Sequence, residues 1–274
     1  MQNRSLYILP IAALWILSSC KENDPVDTTA YDTSAILQNS ADAIITATYA
    51  DLHTNAVALL SAVESLQSDP TEIHLEAARV AWRNTRKPWE QSEGFLFGPV
   101  STKGIDPAID SWPVNTVDLD AVLNGTDNLT KSYIDGLEGT LKGFHTIEYL
   151  LWGVDGNKSV SDFSDREFEY LIGLCQSLEG ETNELFTSWD LSGDNFQENI
   201  SGAGMAGSIY PSQRAAMQEL INGMIVIADE VANGKINDPY STGDVTLEES
   251  RFSANSKADF ADNIRSIKIY MQYL

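Results

Sequence analysis

Helical spacing of apolar residues constrains this chain more than any other sequence feature. Between Tyr31 and Leu66, apolar side chains recur every three or four residues, as they do along one face of a long helix. The same spacing resumes over residues 73–82 after a turn, so the two segments predict an antiparallel helical hairpin. No segment has a β signal that exceeds the helical one, and the sequence therefore predicts an all-α protein. Further long helices are predicted at 161–189, 211–234 and 257–274.

Residues 142–153 have the pattern of a buried helix that ends at Gly153. Within it, His145 and Glu148 are three residues apart, so their side chains are neighbours on one helix surface. An imidazole and a carboxylate placed in this way can share a metal ion or a proton. The alternative from spacing alone is a core histidine that is hydrogen-bonded to a neighbouring glutamate.

A second polar pair lies at the end of the second predicted helix, where Glu90 and Glu93 face the same way. Arg86 precedes Glu90 by one turn, and the simplest alternative is a surface ion pair between them. Pro88 is expected to kink or restart this helix. Large apolar groups surround these charges, which favours partial burial with paired or bound partners. They are Trp82, Trp89, Phe95 and Phe97.

Two of these segments carry a family resemblance. Residues 143–153 closely resemble the GxHxxE segment of the imelysin-like family, and residues 82–100 resemble its aromatic WEQSE-type stretch that ends in Phe-Gly-Pro. Residues 251–263 match a later family segment less closely. The family is named for an insulin-cleaving membrane protease, and it is similar to a periplasmic component of some ferrous-iron transporters. The resemblance implies two packed helical bundles, at 31–155 and 156–274.

The N-terminus has the order of a bacterial lipoprotein signal. Arg4 precedes an apolar run, and Leu17-Ser18-Ser19-Cys20 resembles a lipobox in which Cys20 becomes the lipidated N-terminus. Residues 1–19 are then a signal peptide and residues 20–30 a tether. This predicts a bacterial envelope protein, an outer-membrane lipoprotein that faces the periplasm or the cell surface.

The net charge of −23 repels phosphate backbones and argues against nucleic-acid binding. The resemblance and the two polar pairs together predict a metal site at His145, Glu148, Glu93 and Glu90, with Arg86 balancing charge or contacting the ligand. One imidazole with several carboxylates suits iron, and zinc or manganese also fit. The expected partners are a metal ion or an iron-containing ligand, the membrane through Cys20, and envelope iron-transport components.

Two other functions remain open at this stage. The first is a metallopeptidase that uses His145 and Glu148. Zinc peptidases commonly present two histidines on one helix, whereas here the other histidines, His53 and His74, lie on the first two predicted helices. The second is a scaffold or glycan-handling surface protein without a metal.

Loops are expected at 98–115 and 235–246, because both contain Gly and Pro. The apolar stripe after Ser256 continues to Leu274 without a stop signal. The second bundle is therefore expected to lack its C-terminal part. We expect an exposed apolar groove along 211–234 and 257–274, unless neighbouring segments fold over it and bury Ile264, Ile267 and Met271.

Overall fold

The computed structural model describes residues 31–271, and its regular elements in this range are helices. The first is α1 (Ser34–Asn39), which passes through a π-helical segment (Ser40–Thr46) into α2 (Ala47–Ser68). After a short turn, α3 (Glu72–Glu90) runs through Pro88 without restarting there. The all-α prediction is confirmed. The lipobox and Cys20 lie outside the described residues.

The remaining α-helices of the described range follow in order. They are α4 (Pro99–Thr102), α5 (Ile105–Ile109), α6 (Thr116–Asn124), α7 (Lys131–Asp135), α8 (Gly143–Trp152), α9 (Asp165–Trp189), α10 (Gln197–Ser201), α11 (Gln213–Asp229), α12 (Asn237–Thr242) and α13 (Ser256–Met271). A second π-helical segment (Glu230–Ile236) joins α11 to α12. Short 3₁₀ turns occupy Glu93–Phe95, Gly139–Leu141, Val160–Asp162 and Val245–Leu247.

Two segments that the sequence predicts as loops contain helices. Residues 98–115 include α4 and α5, and residues 235–246 include α12. In α4 and α5 a proline lies in the first turn, where its missing N–H would have no intrahelical partner in any case. These two prolines therefore lie at the start of short helices and do not prevent them. In α12, Pro239 lies in a helical stretch that continues directly from the π-helical segment.

α2 and α3 pack against each other as the predicted hairpin, and the Thr71 side chain caps α3 by accepting a hydrogen bond from the His74 amide. α9 packs along α2 and α8. It therefore lies with the hairpin, although the sequence assigns its residues to a second bundle. Asp32 onward forms one compact unit, and the division near residue 155 stays a prediction.

The last helices pack onto the end of α3 and the turn that follows it. α13 contacts α3, and α11 contacts the Glu93–Phe95 turn. This second approach depends on Gly223, since a Cβ added there would lie 2.1 Å from the Gly94 carbonyl oxygen. The close contact brings the helix that leads to Lys235 directly onto the turn that carries Glu93.

Several apolar side chains of α11 and α13 are exposed. Ile264 is 49% exposed and Met271 66%, whereas Ile267 is partly buried against the core. The alternative in which all three residues are buried is therefore wrong, and the exposed apolar groove stays a prediction. Across residues 31–271, no helix is both long and apolar enough to span a bilayer.

Candidate metal centre

The site is positioned by the contact between the N-terminus of α8 and the C-terminus of α5. Gly143 opens α8 with a φ of +75°, and a Cβ built there would lie 2.2 Å from the Ile109 carbonyl oxygen. Only glycine combines this backbone conformation with so close an approach. As a result Asp110, the residue after Ile109, is brought beside His145.

His145 is buried between two carboxyl groups. Its Nδ1 lies 3.4 Å from Glu148 Oε2 and its Nε2 lies 3.1 Å from Asp110 Oδ1. The Nε2 contact lacks hydrogen-bond geometry, so this buried atom has no hydrogen-bond partner. Burial alone would lower the pKa of His145, but Asp110 and Glu148 outweigh burial and raise this pKa to about 9.

Glu148 is held in place from the opposite side. Both the backbone N–H and the hydroxyl of Ser253 donate to Glu148 Oε1, each at 2.7 Å. Its other oxygen faces His145. This arrangement orients the imidazole, and carboxylates commonly hold a metal-ligating histidine in the same way.

Arg86 lies at the centre of the cluster and is fully buried, so the alternative of a surface pair with Glu90 is wrong. Its guanidinium contacts Glu90, Asp110 and Glu249. The Trp89 indole also donates to Asp110, at 2.6 Å. Arg86 therefore links Asp110, which faces His145, to Glu90, which belongs to the second polar pair.

Glu90 and Glu93 form the second polar pair of the cluster, which is also buried. Lys235 Nζ donates to Glu93 Oε2 at 2.8 Å and lies 3.6 Å from Glu90 Oε2. The Asn263 amide donates to both carboxylates, at 2.5 Å and 3.2 Å. Glu90 Oε1 nevertheless has no hydrogen-bond partner, although it contacts Arg86.

Carboxyl groups outnumber basic groups in the cluster. Five of them, from Glu90, Glu93, Asp110, Glu249 and Asp259, lie within 4 Å of Arg86 or Lys235, and His145 is a third basic group that faces Asp110. Burial raises the pKa of Glu90 to about 8 and that of Glu93 well above its usual value, despite the nearby cations. For Asp110, Arg86 and His145 outweigh burial and hold the pKa well below its usual value.

The cluster contains two overlapping groups of residues whose ligand atoms lie close enough together to hold a metal ion. Ligand atoms of Asp110, His145 and Glu249 lie within 4.8 Å of one another, and so do those of Glu90, Glu93, Asp110 and Glu249. Glu148 belongs to neither group. His145 and the Glu90/Glu93 pair are therefore linked through Asp110 and Glu249 and do not form one compact set. Outside the cluster, His53 Nδ1 is 3.4 Å from Thr182 Oγ1, and His74 Nδ1 is 2.7 Å from the Asp69 carbonyl oxygen.

Sequence patterns did not indicate Asp110, Lys235 or Glu249 as members of the site. Asp110 and Lys235 lie in segments that the sequence predicts as loops, and Glu249 follows such a segment. The only signal near Asp110 is its position between the apolar residues Ile109 and Trp112. All three come from distant parts of the chain, which only the tertiary packing brings together.

The donor set suits a hard or borderline cation. One imidazole and several carboxylates match iron, manganese or zinc. His145 Nε2 makes no hydrogen bond and lies 3.1 Å from Asp110 Oδ1, so a metal ion held between these two atoms would replace their ion-pair contact.

Two cavities of very different volume adjoin the cluster. A cavity of about 10 Å³ lies beside His145 and Glu148 and is lined by Trp112, Pro113 and Phe252 among others. That volume corresponds to about one water molecule. A second cavity, of about 260 Å³, lies beside Glu93 and Asp110 and is also lined by Asp106, Glu230 and Trp112.

The fold and the site define an all-helical protein with a buried cluster of carboxylates around one imidazole. The family model described as Imelysin (Peptidase_M75) matches residues 45–272, so the chain belongs to the imelysin family. The matched range includes both polar pairs and the residues that join them. The expected family is therefore confirmed.

Individual relatives agree with this assignment. Iron-regulated protein A of Synechococcus elongatus is 32% identical over 238 residues, which are 86% of this chain and 63% of that protein. A crystal structure from Parabacteroides distasonis, described as an iron-regulated protein A precursor, has a TM-score of 0.77 at 30% identity and covers 89% of this chain and 75% of its own. An imelysin-like protein from Psychrobacter arcticum has a TM-score of 0.71 at 13% identity, with 87% and 73% covered, and shares the fold.

Proposed function

We propose that this protein is an envelope-anchored lipoprotein that binds a metal ion, iron in preference to manganese or zinc, or an iron-containing ligand for uptake. The observation that carries the proposal is the buried Nε2 of His145, which makes no hydrogen bond and lies within reach of Asp110 and Glu249. The description of two relatives as iron-regulated favours iron over manganese or zinc. This chain spans 63% of the length of the Synechococcus protein.

In this proposal the residues have separate roles. His145, Asp110 and Glu249 hold the ion, while Glu148 fixes the imidazole with Nδ1 protonated so that Nε2 can bind metal. Glu90 and Glu93 extend the carboxylate set on the far side of Arg86. Lipid on Cys20 would tether the protein to the outer membrane, facing the periplasm or the cell surface, where it could meet iron-transport components.

The test is metal retention by purified protein. After incubation with Fe²⁺ without oxygen and then desalting, elemental analysis should find bound iron in the wild type. His145→Ala should lose most of it, because the only imidazole of the cluster is removed. His74→Ala is the matched control, since His74 is remote from the cluster, and it should retain iron as the wild type does. A wild type without metal, or equal retention by His145→Ala, would contradict the proposal.

The metallopeptidase alternative rests on the name of the family model. The cavity of about 10 Å³ beside His145 and Glu148 favours an ion over a polypeptide, because a peptide substrate needs an open cleft. Metal-dependent cleavage of peptides that is lost in Glu148→Gln would favour the peptidase instead.

A further inference from the structure

Lys235 is the most unusual residue of the cluster. Its side chain is 1% exposed, and its Nζ lies 2.8 Å from Glu93 Oε2 and 3.1 Å from both oxygens of Glu249. Glu90 Oε2 is 3.6 Å away. The residue lies in the π-helical segment that follows α11, and π-helical turns are frequent at functional sites. The ammonium group is thus enclosed by three carboxylates from two separate parts of the chain.

The same three carboxylates belong to one of the two groups whose ligand atoms lie close enough to hold a metal ion. Two of their oxygens, Glu90 Oε1 and Glu249 Oε2, are buried and make no hydrogen bond, although the first contacts Arg86 and the second lies 3.1 Å from Lys235 Nζ. Arg86 and Lys235 are therefore the cations that occupy this set of carboxyl groups when no metal is bound.

Taking the buried cluster as the metal site of the proposed function, we propose that Lys235 is a built-in cation that a metal ion must displace from Glu90, Glu93 and Glu249. With metal absent, the ammonium group stabilises the three carboxylates. With metal present, the lysine side chain leaves and the ion takes its position. Lys235 thereby raises the metal concentration that is needed to occupy Glu90, Glu93 and Glu249.

Distances and charge make the two cations mutually exclusive. Zinc, for example, binds carboxylate oxygens at about 2.0–2.2 Å. An ion held at that distance by Glu93 and Glu249 would occupy nearly the same space as the ammonium group, which now lies 2.8–3.1 Å from those oxygens. Two positive charges so close together in a buried site also repel strongly.

A cavity leads to this position. Its volume is about 260 Å³, and Asp106 and Glu230 line it together with Glu93 and Asp110. Trp112 also lines it, and Lys235 Nζ lies 5.5 Å from the centre of the Trp112 ring. An acidic lining concentrates cations. A metal ion could therefore reach Glu93 from this side, where the lysine ammonium group is its competitor.

The test compares Mn²⁺ binding by isothermal titration calorimetry in the wild type, Lys235→Met and Lys257→Met. Lys235→Met keeps an unbranched side chain but removes the charge, and it should bind Mn²⁺ more tightly by about tenfold or more, a difference of about 1.4 kcal/mol. Lys257 is an exposed lysine on α13 and serves as the control, with an affinity equal to that of the wild type. Tighter binding by Lys235→Met supports the inference even if the wild type binds no Mn²⁺, a result that would count against the proposed function alone.

A second pair of variants covers the case in which Lys235→Met does not fold without metal. Glu93→Gln/Lys235→Met removes one charge of each sign, and it should bind Mn²⁺ more tightly than Glu93→Gln, which keeps the lysine. Equal or weaker binding by Lys235→Met, or by the double variant against Glu93→Gln, overturns the inference. If that result is accompanied by loss of metal in His145→Ala, the metal site of the proposed function stands and Lys235 is only a structural ion-pair partner.

Discussion

Replacing Glu90 with glutamine should flatten the pH dependence of stability of the metal-free protein. Burial raises the pKa of Glu90 from 4.5 to about 8 in the folded protein. Between these values the folded protein holds a proton on Glu90 that the unfolded chain has released. Stability from this group is therefore fully present below about pH 4.5 and is lost as the pH rises through 8.

The size of the effect follows from the linkage. One proton bound by the folded state alone changes the free energy of unfolding by about 1.4 kcal/mol per pH unit. From pH 5.5 to 7.5 the wild type should therefore lose about 3 kcal/mol more stability than Glu90→Gln. Glutamine has nearly the same shape, keeps an oxygen that can face Arg86, and does not titrate. Both proteins should lose further stability as the pH rises from 6.5 through 9, because the pKa of His145 is raised from 6.5 to about 9 in the folded state.

Urea unfolding followed by tryptophan fluorescence, with EDTA present, measures this difference at pH 5.5, 6.5 and 7.5. Glu64→Gln is the control, because Glu64 is exposed on α2, and its stability should run parallel to that of the wild type. Parallel curves for the wild type and Glu90→Gln would refute the reasoning, since they would mean that Glu90 binds no extra proton in the folded state.

Two further predictions concern the fold and the membrane anchor. Gly143→Ala should lower the melting temperature much more than Gly104→Ala, because both glycines have positive φ but only a Cβ at Gly143 would clash with Ile109. Equal losses in the two variants would show that the approach of α5 to α8 is not tight. Cys20→Ser should move the protein from the membrane fraction to the soluble fraction, whereas Cys175→Ser should not, because Cys175 is buried in the fold. Membrane association that persists in Cys20→Ser would show that the lipobox interpretation is wrong.

The sequence alone predicted the helical class, the hairpin of α2 and α3, and the long helices at 161–189 and 257–274. These features depend on local spacing, because an apolar stripe with a period of 3.6 residues forms a helix whatever its partner is. The polar pairs His145/Glu148 and Glu90/Glu93 were found for the same reason, since residues three apart on a helix are neighbours. Burial of Arg86 also follows from the aromatic residues around it.

Tertiary structure alone decided which residues complete the cluster. Asp110 reaches His145 because Gly143 lets Ile109 approach closely, and Lys235 reaches Glu93 because Gly223 packs on Gly94. Neither approach leaves a periodic signal in the sequence, since each depends on a contact between distant segments. The sequence therefore determined the helices, the two polar pairs and Arg86, while packing determined that Asp110, Glu249 and a buried lysine lie among them.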